Sequence, residues 1–534
     1  MSTQQPAQTG HDPSGAAGDG GVPDARRRRT ILIAVCIALM AVIASVSGLG
    51  VAQPDLAVAF GASQSTVLWI INIYTLGLAA LLLPLGALGD RLGRKPVLIT
   101  GLAVFGTASA AAGLAPSAEV LLAARLLGGV GAAMIMPITL AVITSTFPRE
   151  ERGRAIGAWT AVAGGGGILG MFLSAVLVDV ANWRWLFVLP VVLVAVALAM
   201  TLRSVPNSRE TTGHAFDTVG ALTSVVAVAG LVFALQEGPE RGWTDPATAL
   251  ASAVGAVAAA GFVAWELRRR DAALLDVRLF GERALAGGSV TLLAVFGVQA
   301  GIFVVLFPFL QAVLGWSGLL STLALMPMAV LMMAASGLAP RLGARVGPRA
   351  TMATGVLLTG AGLALMASVV SVDGGYLSVL PGMLAMGLGM GLSMTPSTEA
   401  ITGALPRDRQ GVASALNDVT RELGTALGVA LLGALLSTGY RAAVGPRLDG
   451  VPEGTADTAR EGVANALDAA HQGGPYAREL ILAARESFVD GWQNAMWAGV
   501  AVMAVLFLYI SVLGPRLSAG GQSDAPEPVG AKVP

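Results

Sequence analysis

The stretch GALGDRLGRK (86–95) decides how the rest of the chain is read. It packs one Asp, two Arg and a Lys between LWIINIYTLGLAALLLPL (68–85) and PVLITGLAVFGTASAAAGLA (96–115). Neither flank reads as part of a soluble surface. The whole chain of 534 residues is 54% hydrophobic and 12% charged, with a mean hydropathy of +0.72, whereas soluble chains carry about 25% charged residues. Repeated apolar stretches of ~20 residues match the ~30 Å hydrocarbon core of a bilayer. The chain therefore reads as an all-α polytopic membrane protein whose charges are confined to short packets between spans.

Other classes fall away on composition. Net charge is zero, so nothing recommends nucleic acid as a partner. Cys36, the only cysteine, lies inside the first apolar run, which excludes a disulfide framework and a cysteine metal site and reads as a small buried residue. The three histidines, His11, His214 and His471, fall in expected tails and loops, none placed like a metal ligand. Lysine occurs only at 95 and 532 and arginine elsewhere, which with the abundant Ala and Gly points to a bacterial source. Nothing matches the G-x-x-x-x-G-K-[ST] phosphate loop, so no ATP site, enzyme activity or cofactor is expected.

Fourteen spans are expected, from 31–53 to 489–513, the seventh and eighth at 217–236 and 247–266. Residues 1–30 are expected to be a disordered cytoplasmic tail ending in Arg26–Arg29, a topogenic flank for the first span. With the N-terminus inside, the cytoplasmic packets DRLGRK, FPREERGR, RSVPNSR, RRRDAALLDVRLFGER, PRLGARVGPR and LPRDR hold 18 Lys or Arg, and the short outer connections only Arg184 and Arg241. This asymmetry follows the positive-inside rule. It places both termini, including a tail at 514–534, in the cytoplasm of a bacterial cell whose inner membrane the chain crosses. Residues 440–488 are expected to form a long, mildly helical outer loop.

The packet also recurs. DRLGRK (90–95) aligns with PRLGAR (340–345) at an offset of 250, each after the second span of a six-span set. The expected organisation is a six-helix half at 31–202, an inserted pair of spans at 203–283, and a second six-helix half at 284–513. Parallel halves with a substrate path between them are a transporter plan.

GALGDRLGRK resembles the G-x-L-x-D-R-x-G-R-K loop signature of the major facilitator superfamily. Fourteen spans with a long outer loop before the last resemble its drug:proton antiporter branch of EmrB and QacA type, over about residues 31–513. The resemblance implies a major facilitator fold and a cytoplasmic latch between the halves at Gly86, Asp90, Arg91, Gly93, Arg94 and Lys95. The second copy has Pro340 where Asp90 stands. RLLGGVGAA (125–133) is similar to the family's R-x-x-x-G-x-G pattern, which implies proton transfer for Arg125. The open alternative is that Arg125 snorkels to the outer interface.

ALNDVTRELGTALGVALLG (415–433) is similar to the thirteenth helix of that branch. Asp418 and Glu422 are four apart and share a helical face, with Arg421 beside them, and relatives carry acidic residues there for cation recognition and proton coupling. Two carboxylates near a cation can titrate as a coupled set. A position in the headgroup zone, paired with Arg421, is the competing reading. Trp69, Asn72 and Tyr74 are candidate cavity residues or interfacial anchors, and Glu399 a carboxylate at the inner end of its span. Methionines at 326–333 and 383–394 read as ordinary membrane core.

Two departures qualify the resemblance. Ser45 stands where the branch has an acidic residue, and Gly50 where it has Asn. In the fifth span Gly170 is kept, but Met171 replaces Pro and Ser174-Ala175 replace Gly-Gly, which preserves close packing but removes a kink. The expected function is export of lipophilic or cationic drugs or antibiotics by proton antiport and alternating access. The proton gradient is the energy source, the bilayer the medium, and a monomer the working unit. Alternatives are export of one endogenous metabolite, another proton-coupled solute transport, or, remotely, a transport-dead membrane sensor.

Overall fold

The computed structural model describes residues 24–50, 52–209, 216–269, 272–472 and 476–515. Most of both expected tails, with His11 and His214, lies outside the described residues. In chain order the helices are α1 (Ala25–Gly48), α2 (Gln53–Phe60), α3 (Gln64–Leu92), α4 (Arg94–Gly113), α5 (Ala118–Thr146) and α6 (Arg149–Val180). Then come α7 (Val188–Ser204), α8 (Thr218–Arg241), α9 (Pro246–Arg269), α10 (Arg283–Pro308), α11 (Gly318–Ala324) and α12 (Met326–Val346). The last are α13 (Pro348–Val369), α14 (Gly375–Gly403), α15 (Gln410–Arg447), α16 (Glu453–Glu461), α17 (Val463–His471) and α18 (Ala477–Leu513).

Fourteen of the helical stretches among the described residues are long and apolar enough to cross a membrane. α1 and α3–α7 build one half around a core that includes Leu39, Tyr74, Phe105 and Trp159. α10, α12–α15 and α18 build the other, whose core takes in Met328, Met332, Met383, Met386, Met390 and Met394. The methionine runs are thus packing residues of the second half. Large apolar side chains such as Leu222, Val257, Val505 and Leu508 are more than half exposed on the outside, the arrangement a hydrocarbon surround favours.

The inserted pair sits against the side of this body. α8 packs on both α3 and α15, and so touches both halves, while α9 packs chiefly on α8. The two cross closely because Gly230 and Gly255 face each other: a Cβ on Gly230 would lie 2.8 Å from the Ala251 carbonyl oxygen.

Four local expectations are corrected. Residues 25–30 are helical: Asp24 caps α1 by accepting from the Arg26 N–H at 2.9 Å, and Arg28 pairs with Glu151 at 2.9 Å. The segment 440–488 is more helical than the mildly helical loop expected, because α15 runs on to Arg447, α18 begins at Ala477, and α16 and α17 lie between them with His471 ending α17. Tyr440 fastens it, donating to the Ala459 carbonyl at 2.8 Å. Cys36 is only half-buried.

The fourth concerns the repeat. Gly93, φ +110°, is the single non-helical residue between α3 and α4, and its N–H donates to the Gly89 carbonyl. Gly347, φ +92°, stands identically between α12 and α13, donating to Gly343. Only glycine adopts such φ values readily. The halves therefore correspond at an offset of 254, one helical turn from the expected 250, so that GDRLG (89–93) matches GARVG (343–347). The residue in Asp90's place is Ala344, and Pro340 lies a turn earlier, against Gly157 of α6.

Candidate functional site: a latch, a buried arginine and a central cavity

At the end of the molecule carrying the arginine packets, Asp90 and Arg94 are almost wholly buried, 1% and 2% exposed. The Asp90 carboxylate accepts from Arg94 Nη2 at 2.8 Å and Nε at 3.1 Å. It also accepts from the backbone N–H groups of Gly411 at 2.8 Å and Val412 at 3.1 Å. Those N–H groups open α15, where a helix has unsatisfied donors and a positive dipole end. One half thus caps a helix of the other. Arg94 adds a bond to the Arg407 carbonyl at 3.1 Å. Gly86 makes the approach possible, since a Cβ there would sit 2.6 Å from the Gly411 carbonyl oxygen and 2.7 Å from Ala415 Cβ. Lys95 donates to the Leu202 carbonyl of its own half at 2.9 Å, and Arg91 is exposed, lining a small pocket beside the start of α8 with Arg409 and Val412 of the other half.

Arg125 does not snorkel; it is 2% exposed. Its Nε donates to the Ile70 carbonyl at 3.2 Å, and its Nη1 to Ser45 Oγ at 2.9 Å and the Ser45 carbonyl at 3.3 Å. The guanidinium lies over the Tyr74 ring, 4.1 Å from its centroid. Nη2 has no hydrogen-bond partner among the described residues. The glycines of the motif set this geometry, for a Cβ on Gly129 would lie 2.5 Å from the Tyr74 carbonyl oxygen, and one on Gly131 2.7 Å from Phe105 N. Ser45 thus supplies a hydroxyl where the resemblance implies a carboxylate.

Asp418 and Arg421 are buried between the helices, 0% and 6% exposed. Arg421 Nη1 reaches Asp418 Oδ1 at 3.4 Å, and its Nη2 donates across the halves to the Ala163 carbonyl of α6 at 3.3 Å. The guanidinium rests on Phe296, 4.4 Å from the ring centroid, and Trp159 at 5.5 Å. Trp159 is held in turn by donating to Thr139 Oγ1 at 3.0 Å. Arg421 and Glu422 face a cavity of about 230 Å³ between the halves, which Thr75, Gln299, Phe296 and Phe303 also line.

Of the other candidate residues, Tyr74 is fully buried as the platform for Arg125 and donates to the Val42 carbonyl at 3.4 Å. Trp69 packs against Phe233 of α8, ring centroids 5.6 Å apart, and neither it nor Asn72 lines the central cavity. Tyr74 is taken by α5 and Trp69 by α8, which corrects both as cavity residues. Glu399 lines a separate cleft of about 520 Å³ at the arginine-rich end, between α6, α12 and α14. Gly170 and Ser174 lie where α6 meets α1: a Cβ on Gly170 would sit 3.0 Å from Ala44 Cα, and Ser174 Oγ lies against Gly48. Gln299, Thr75 and Phe303 were missed. A lone glutamine in an apolar run, as in VTLLAVFGVQAGIFVVLF (290–307), is the signal that finds the first.

A family model described as Major Facilitator Superfamily matches residues 35–429. The chain belongs to the Major Facilitator Superfamily. It is a multi-pass membrane protein of a transporter family that acts on small molecules. Over 493 residues it is 32% identical to the multidrug resistance protein Stp of Mycobacterium tuberculosis, covering 90% of this chain and 91% of that one. Over 512 residues it is 30% identical to the tetracenomycin C resistance and export protein of Streptomyces glaucescens, covering 93% and 94%. Among solved structures, the human organic anion transporter MFSD10 superposes with a TM-score of 0.57 at 15% identity, covering 92% of this chain and all of that one, a likeness of fold.

Proposed function

We propose that this superfamily member exports lipophilic, cationic drugs or antibiotics by proton antiport, with its arginine-rich end and both termini on the cytoplasmic side of a bacterial inner membrane. One observation carries the reading: a buried carboxylate–guanidinium pair, Asp418–Arg421, joins the two halves at the wall of an aromatic-lined cavity that Glu422 faces. Export is supported by relatives named for multidrug resistance and for antibiotic export.

In this reading the cation occupies the cavity against Phe296, Phe303 and Glu422, whose faces and charge favour it. A proton arriving from outside neutralises Glu422 or Asp418. The Asp418–Arg421 attraction then weakens, Arg421 loosens its hold on Ala163, and the cation loses its counter-charge. The latch of Asp90 on α15 closes the cytoplasmic route while this exchange takes place. One charge crossing 100 mV supplies ~2.3 kcal/mol, enough for roughly fifty-fold accumulation. In this reading the proton gradient is the energy source and a monomer the working unit.

A second reading, export of one protected compound, draws on the tetracenomycin-exporting relative and on a cavity smaller than the ~300–1,000 Å³ usual for drug-sized ligands. Expression in a drug-sensitive bacterial host separates the two. Resistance to ethidium, methyl viologen and unrelated lipophilic cations supports the first, and protection against a single compound the second. Protection against none would refute drug export.

A further inference from the structure

α15 carries a file of polar side chains on one buried face. Gln410, Ser414, Asn417, Asp418 and Arg421 are spaced so that, at 3.6 residues per turn, they fall within an arc of about 100° and extend ~16 Å along the axis. Gln410 is 4% exposed, Ser414, Asn417 and Asp418 are 0% and Arg421 is 6%. Each has an atom with no hydrogen-bond partner among the described residues: Gln410 Oε1, Ser414 Oγ, Asn417 Oδ1, Asp418 Oδ2 and Arg421 Nε.

Dry packing does not account for this. A buried polar atom left unmatched costs about 1–3 kcal/mol, and such atoms number only a few per hundred residues in native folds. Nor are these side chains loosely oriented. Gln410 Nε2 donates to the carbonyls of Thr402 and Leu405 at 3.0 Å and Pro406 at 3.1 Å, which leaves Oε1 as the unmatched atom. Asn417 Nδ2 donates to Asp418 Oδ1 at 3.2 Å. Elsewhere on the helix Thr420 satisfies itself on the Leu416 carbonyl at 2.7 Å. Polar sites the protein leaves unmatched are the sites that ordered water fills.

The two ends of the file open on different spaces. Gln410 lines the cleft at the arginine-rich end together with Glu399, whose Oε1 likewise has no partner among the described residues. Arg421 lines the central cavity. The latch seals the adjoining face of the same helix, at Gly411 and Ala415.

We propose that this face of α15 is a hydrated proton path from Asp418 to the cytoplasmic cleft, with Glu399 as the acceptor there, conducting while the latch is shut to substrate. The O–H bond of protonated Asp418 breaks, the proton passes along waters held by Asn417, Ser414 and Gln410, and an O–H bond forms on Glu399 before release to the cytoplasm. Asp418 is left as a carboxylate facing Arg421, and water is the only other species required. The inference rests on the antiport reading above.

The test uses full-length protein in liposomes and Ser414→Val, which removes the hydroxyl and puts two methyl groups in its place. Two rates are read: proton movement on adding ethidium, and ethidium–ethidium exchange, which needs no net proton transfer. In Ser414→Val, proton movement falls roughly ten-fold, as losing one ~1–3 kcal/mol polar site predicts, while exchange is kept. Equal proton movement in variant and wild type overturns the path but leaves antiport standing. Absence of proton movement in wild type overturns both. If Ser414→Val fails to insert, Ser414→Cys in a Cys36→Ala background is treated with a small charged thiol reagent from the cytoplasmic side. Labelling, which requires thiolate in contact with water, supports the path, and its absence overturns it.

Discussion

Replacing Asp90 with Asn removes the charge that caps α15 while keeping the shape. Two of the four bonds that Asp90 accepts come from the other half, the Gly411 and Val412 N–H groups. The two from Arg94 lie within one half and survive its parting from the other. A hydrogen bond to a charged group contributes about 1.5–3 kcal/mol, so the carboxylate holds the latch by about 3–6 kcal/mol. Asn keeps one neutral acceptor oxygen, worth about 0.5–1.5 kcal/mol, so at 1.4 kcal/mol per factor of ten the substitution shifts the closed-to-open ratio by roughly two to three orders of magnitude. Spin labels at Arg91→Cys and Gly403→Cys, in a Cys36→Ala background, sit on opposite halves at exposed positions. Their distance distribution, measured by pulsed electron resonance without substrate, gains a long component in Asp90→Asn. An unchanged distribution would refute the idea that Asp90 holds the halves together.

Two further outcomes follow from packing and charge. Gly428→Ala places a Cβ about 2.6 Å from Gly297 Cα, where α10 and α15 cross. Overpacking of this kind costs about 1–3 kcal/mol, so the thermal midpoint in detergent falls, whereas Gly261→Ala, within α9 and with nothing within 4 Å, does not lower it, since Ala favours a helix over Gly. Ser45→Asp gives the buried Arg125 the carboxylate it lacks, at the position whose hydroxyl now accepts from Nη1 at 2.9 Å. Since an unpaired buried charge costs several kcal/mol, the midpoint rises. A fall would mean that Nη2 is already satisfied by water.

The spans were legible because bilayer thickness imposes one length on every crossing, and hydropathy reports it. The ends of α15 and α18 were not, because outside the apolar core the same helices continue on polar residues and their tertiary packing, not hydropathy, sets where they stop. GDRLGRK announced a latch, but not that Asp90 would cap a helix more than three hundred residues away, since sequence patterns carry no distance information across halves. The one-turn slip in the repeat has a similar cause: Arg-Leu-Gly recurs in letters, while positive φ at Gly93 and Gly347 fixes the true register. Asp418, Arg421 and Glu422 stood out by the resemblance of 415–433 to a helix of the family, and the i, i+4 spacing put both carboxylates on one face. Gln299 and Thr75 carry no charge and so gave little signal, and Tyr74 was read as a cavity residue because its contact with Arg125 depends on the close crossing of α3 and α5.

The most direct test of the account is proton flux in liposomes holding a pH gradient, recorded on adding ethidium, for wild type and Asp418→Asn. The account predicts ethidium-triggered proton movement in wild type and its loss in the variant, with protein of both kinds folded and inserted. Proton movement in Asp418→Asn equal to wild type, or none in wild type, would contradict coupling through the Asp418–Arg421 pair.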